Sequence, residues 1–132
     1  MKGKIGMQLA INGESHSPAG VKDAERLLAS IGQTDDLEIW AAEGDGSSLC
    51  ALLNRHCGWL MFLRFEGDVG FSSRNLLRED SDGREEAFVL SNGQVDTYPS
   101  SWTMDRKTVF EALLEFVTSG QRPSKIDWHN DT

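Results

Sequence analysis

Leu49-Cys50-Ala51-Leu52-Leu53 and Trp59-Leu60-Met61-Phe62-Leu63 are two apolar runs separated by the polar stretch Asn54-Arg55-His56-Cys57-Gly58. Each run has the length of a strand. Pairing Leu53 with Trp59 predicts a hairpin with a five-residue loop, and it places Cys50 opposite Phe62 and not opposite Cys57. The second run is apolar on both of its faces, so it reads as a central strand covered from two sides.

Working outward toward the N-terminus, Leu37, Ile39 and Ala41 alternate with Glu38, Trp40 and Ala42 as a further strand. Ile5, Met7, Leu9 and Ile11 do the same ahead of Asn12-Gly13. Glu43 to Ser48 has the composition of a turn. Between the first two strands, Val21, Ala24, Leu27, Leu28 and Ile31 recur at helical spacing. Ser17-Pro18 reads as the cap and first residue of that helix, and Gly32 as its stop. The basic start, Met1-Lys2-Gly3-Lys4, is a poor secretory leader. Gln8 interrupts the apolar stretch behind it, and Asn12-Gly13-Glu14 follows where a small-x-small cleavage site is needed.

Toward the C-terminus, residues 67–78 have room for a short strand around Val69 and Phe71, and Glu79 to Glu86 reads as a solvated acidic loop. Ala87–Leu90 and Gln94–Tyr98 flank Asn92-Gly93, a strong hairpin signal, and Pro99 ends the second strand. A helix is expected to begin near Thr103 to Asp105. Its apolar stripe is Val109, Phe110, Leu113, Leu114, Phe116 and Val117, and its wet face Arg106, Lys107, Glu111 and Glu115. Gly120 and Pro123 close it, and Lys125 to His129 forms a last strand carrying Ile126 and Trp128. The expected fold is α+β: a single domain over residues 1–132, with a mostly antiparallel β-sheet of about six to eight strands and two main α-helices packed on it.

Thirteen basic and twenty-one acidic residues give a net charge of −8, spread over both halves of the chain. A nucleic-acid or anionic-membrane binder needs a positive field, so neither is an expected direct partner. Two cysteines are too few for a disulfide framework, and reduced thiols are expected. His16, His56 and His129 stand in no metal-ligand spacing with one another or with a cysteine. No phosphate loop, nucleophile elbow or dinucleotide fingerprint is present. The sequence therefore predicts no catalytic, cofactor or metal site and favours a binding protein. Cys57 or His56 as the centre of a minor enzyme is one alternative, and a small regulatory or scaffold module is the other. Trp40, Trp59 and Trp128 fall in strands and read as core. Trp102 reads either as a staple against the following helix or as an exposed anchor.

One further pattern comes from the last third. Tyr98-Pro99, the helix ending Phe116-Val117-Thr118-Ser119-Gly120-Gln121-Arg122-Pro123, then Ile126 and Trp128, together resemble the Imm1 family of bacterial immunity proteins. Leu49, Gly58, Leu60, Gly70 and Ser72 fall where that family tends to place such residues. Ser119 directly before the glycine and Met61-Phe62 after Leu60 depart from the pattern. The resemblance implies a cytoplasmic antidote in a polymorphic toxin system of interbacterial competition. Its partner would be one cognate toxin domain, bound one to one by a protein that is a monomer when free. Such toxins include deaminases and nucleases, whose basic clefts an acidic inhibitor would be steered toward and occlude. Candidate contact residues are Glu43 and Asp45 in the turn, Glu79, Asp80, Asp82, Glu85 and Glu86 in the acidic loop, and Trp102.

Overall fold

The computed structural model describes residues 7–78 and 83–132, which form an α+β fold with two helices and nine strands. Ile5 and Gly6 of the expected first strand lie outside the described residues, as do Glu79, Asp80, Ser81 and Asp82 of the acidic loop. The chain runs β1 (Gln8–Ile11), β2 (Glu14–His16), α1 (Val21–Ser30), β3 (Leu37–Ala42), β4 (Ser48–Leu53), β5 (Gly58–Leu63) and β6 (Phe71–Arg74). It continues through β7 (Glu85–Val89), β8 (Val95–Pro99), a 3-10 turn (Ser100–Trp102), α2 (Arg106–Ser119) and β9 (Asp127–Asn130). Seven strands form one antiparallel sheet in the order β2-β1-β3-β4-β5-β6-β9, and β7 with β8 forms a separate hairpin.

Alternation sends each strand's side chains to two different layers. Leu9, Ile11, Leu37, Ile39, Ala41, Leu49, Ala51, Leu53, Leu60 and Phe62 form one face. They pack with Ala24 and Leu28 of α1 and with Val109, Ala112, Leu113, Phe116 and Val117 of α2. The opposite face carries Cys50, Leu52 and Trp59, and with Cys57 they bury Phe88 of the β7–β8 hairpin. The expectation of a central strand covered on both sides holds for β5. Its Leu60 and Phe62 lie under the helices and its Trp59 under the hairpin.

Several expectations are corrected. The β4–β5 register is one residue off: Leu53 pairs with Gly58 and Cys50 with Met61, around a four-residue loop. Asn54 tightens that loop, because its side-chain oxygen accepts from the backbone N–H groups of His56 and Cys57 (2.8 and 2.9 Å) while its own N–H donates to the Cys57 carbonyl. Both cysteines are free and buried. α1 begins at Val21, not at Pro18. The Ser17 hydroxyl donates to the Gln8 side chain on β1 instead of capping, and Asp23 reaches back to accept from the Ala19 N–H. Asn12-Gly13 does not simply end β1. Asn12 at φ 50° and Gly13 at φ 85° turn the chain into β2, a strand the sequence reading missed.

β5 ends at Leu63 because Asp68 takes the Arg64 N–H, so Phe65 turns out to solvent at 55% exposure. Val69 is also exposed, and the strand that follows holds Phe71 alone of the expected pair. Glu85 and Glu86 are not loop residues: they open β7, paired with Pro99 and Tyr98.

α2 matches its expected ends closely. Asp105 caps it by accepting from the Thr108 N–H at 2.8 Å, and Gly120 closes it in the left-handed region at φ 71°. Arg106 leaves the expected wet face. Its guanidinium donates to the backbone carbonyls of Gly32, Thr34, Asp35 and Asn54, tying two loops to the start of the helix. Trp128 packs against the helical core, 6.4 Å from Phe62, with its indole N–H on the Pro123 carbonyl.

Candidate functional site

Of the residues singled out from the sequence, the described ones are not all brought together. Glu43 and Asp45 stand at the Ser48 end of β4, whereas Glu86 meets Asn54 just past the Leu53 end. A six-residue strand puts those ends roughly 17 Å apart. Asp45 accepts from both the N–H and the hydroxyl of Ser47, which holds its carboxyl below the usual range even in solvent. Glu43 accepts from the Gly44 N–H and lies beside Gly120. Glu85 is exposed, while Glu86 is half-buried against Asn54. Trp102 is neither a staple on α2 nor a bare anchor. It sits half-buried on the hairpin side, 6.1 Å from Tyr98, with the Arg74 guanidinium 3.7 Å above its ring.

What the fold does assemble is a half-open patch on the hairpin side of the sheet. Period two puts Glu38 and Trp40 on that face of β3, beside Leu52 and Cys50 of β4. The same period puts Asp96 and Tyr98 on the inner face of β8. Tyr98 stacks on Trp59 with ring centroids 4.2 Å apart and planes 7° from parallel. In each pair the aromatic donates to its own acid two residues earlier: Trp40 Nε1 to Glu38 at 3.0 Å and Tyr98 Oη to Asp96 at 3.4 Å. All four side chains are half-buried, and Met61 lies half-buried beyond Cys50.

The electrostatics of the patch are one-sided. Burial pushes the Cys50 thiol up, and the Glu38 and Asp96 carboxylates push it further. Tyr98 is pushed up to about 12, first by burial and then by Asp96. Burial alone would raise Glu38, yet the Ser91 N–H, the Trp40 indole and the Ser91 hydroxyl together hold it below its usual value. Those donors are neutral. Asp96 likewise accepts from Gln94 and Tyr98, and among the described residues neither carboxylate forms an ion pair.

Several cations among the described residues are engaged elsewhere. Arg106 holds carbonyls, Arg78 donates to the Thr103 hydroxyl, Arg64 chelates Asp68, and Lys107 pairs with Glu111. Alternation alone would have shown Glu38 and Trp40 on one face. Reading Trp40 simply as core hid that signal.

Other chemistry finds little support. Cys57 is buried, its thiol is pushed up chiefly by burial, and its sulfur lies 3.6 Å from the Asn54 side-chain oxygen. An activated thiol needs the reverse. His16 and His129 each neighbour a single carboxylate. Among the described residues, no three His, Cys, Asp or Glu side chains converge on a possible metal position.

No curated protein sequence matches this chain. A family model does: immunity protein Imm1 matches residues 13–130, from the β1–β2 turn to the end of β9. The match takes in the helix-to-strand segment around Gly120 and Trp128 as well as the acid–aromatic face, and the protein belongs to the Imm1 family of immunity proteins.

Proposed function

We propose that this immunity protein neutralises a nucleic-acid-targeting toxin by forming a one-to-one complex that covers the toxin's active site, with no turnover of its own. The toxin domain is a deaminase or nuclease of a polymorphic toxin system. The inhibitor acts in the cytoplasm and is a monomer until it meets its target. The observation that carries this reading is the fate of its charges. The net charge is −8, and several arginines of the described residues are held by carbonyls, a hydroxyl or a ring while others pair with a carboxylate, so that acid remains in excess in the outer field. A protein that handles nucleic acid presents a cationic cleft, and an anionic body is drawn to it at a rate above that of neutral encounter.

In this reading Glu79, Asp80, Asp82 and Glu85 contribute to steering, together with Glu43, Asp45 and Glu86. Trp102 contributes a rigid aromatic edge. No helix of the described residues is long and apolar enough to cross a membrane, in keeping with a diffusing inhibitor.

The test uses the toxin domain encoded by the neighbouring gene. Titrating it with the immunity protein should abolish nucleic-acid turnover at an equimolar point, with an association rate that falls steeply as salt rises. Reversing Glu79, Asp80, Asp82 and Glu85 together should slow association severalfold. Unchanged kinetics would remove those residues from the encounter surface, and a toxin left active in the presence of excess inhibitor would end the proposal.

A further inference from the structure

The β7–β8 hairpin has two edges, and the structure treats them differently. On the β7 side, the Asn54 side-chain amide donates to the Ala87 carbonyl at 3.0 Å, so Ala87 directs its backbone polar groups away from β8. In an antiparallel ladder the residue opposite such a position also points outward, as does the pair two residues on. Thr97 is opposite Ala87 and Val95 is opposite Val89. The N–H and C=O groups of Val95 and Thr97 therefore line the free edge of β8, and both residues are exposed.

The orientation of the hairpin follows from the same contacts. β7 lies toward the Asn54 loop, where Glu86 also reaches, whereas Tyr98 of β8 stacks on Trp59 further into the sheet, and the Asp96 carboxylate acts on the Cys50 thiol of β4. The free edge thus looks across the part of the sheet that the hairpin leaves half open. There Trp40, Met61, Ala42 and Leu63 are only partly covered.

We infer that the free edge of β8 is a docking edge for an extended basic segment of the cognate toxin, which adds to the hairpin as a third strand above Trp40 and Met61. The inference rests on the toxin-partner reading above. Strand addition takes its affinity from main-chain hydrogen bonds and its selectivity from alternate side chains. Lysine or arginine at the inward positions would lie against the Trp40 and Tyr98 rings and meet Glu38 and Asp96, whose charges have only neutral donors here. The same acids argue against a second copy as the occupant. An unprotected edge invites self-pairing, and natural edges are guarded by inward charges and proline. Asp96 and Pro99 provide that guard against an equally acidic strand while admitting a basic one.

Hydrogen exchange on the complex tests this without a variant. With a catalytically inactivated toxin domain from the neighbouring gene, the Val95 and Thr97 amides should exchange at least about tenfold more slowly in the complex than in the free protein. Thr97→Pro removes an outward N–H that the internal ladder does not use, and should weaken the complex about tenfold. Val21→Ser, on the helical side, should leave affinity unchanged. A complex that forms while both amides keep their free exchange rates overturns the docking edge alone, as does full affinity in a folded Thr97→Pro protein. Failure of the unmodified protein to bind the toxin at all removes the toxin reading and this inference together.

Discussion

The two faces of the seven-stranded sheet are built from the same alternation, yet they are finished in different ways. Under the helices, aliphatic and phenylalanine side chains interlock with almost no exposed surface. Leu9, Ile39, Leu49, Leu60, Val109, Leu113 and Phe116 are all fully buried there. Under the hairpin, Phe88 is the large side chain that reaches full burial, and around it stand Trp40, Tyr98 and Trp102, each only partly buried. The face closed by two helices is the more completely buried, and the face closed by two strands leaves large side chains half-covered, which is where the proposed docking edge lies.

Substitutions can break that comparison or sharpen it. Leu113→Ala empties a fully buried site in the helical layer and should cost about 3–5 kcal/mol of global stability in denaturant unfolding. Phe88→Ala removes a side chain of equal burial, with an expected cost of about 3 kcal/mol. Its effect should be local: amides of β7 and β8 lose exchange protection while those of β3 and β4 keep theirs. Equal loss of protection in the central strands would mean that the two faces are one cooperative layer, and the contrast would fail.

Smaller effects separate the faces further. Asp105→Ala should cost about 1 kcal/mol by freeing the Thr108 N–H at the start of α2. That loss should leave toxin affinity untouched. Glu38→Gln should remove a modest stabilisation at neutral pH, and the difference from the unmodified protein should shrink on acidification. The folded-state value of Glu38 lies below its ordinary 4.5, so its contribution is complete above about pH 4.5 and is lost as pH falls through the lower folded value. The acid-unfolding curve of the Gln variant should therefore be flatter in that range. A curve that superimposes on that of the unmodified protein would show that Ser91 and Trp40 do not stabilise the charge.

Much of this was readable from the chain. β3, both strands of the Asn92-Gly93 hairpin, and α2 with its Asp105 start and Gly120 end follow from period and punctuation, because side-chain alternation, a tight turn and helix caps are local features of the chain. The errors fall where a side chain reaches outside its own segment. Ser17 was read as a helix cap, but Gln8 on β1 claims it. The β4–β5 register slipped by one because Asn54 gathers two amides and shortens the loop. Arg106 was placed on a wet face, yet four carbonyls from two other loops surround it.

The candidate site was legible only in fragments. Acid abundance is visible in composition, whereas the acids that matter for the patch, Glu38 and Asp96, are not in the acidic run at all. The amino-acid sequence by itself determined the kind and order of most elements, the acid excess and the family motif, since these depend on local spacing and on counting. Tertiary structure alone decided which carboxylates are held by neutral donors among the described residues and which strand edge stays open. Those outcomes depend on distances between residues such as Glu38 and Ser91, 53 positions apart, that only packing of the hairpin on the sheet brings within hydrogen-bond reach.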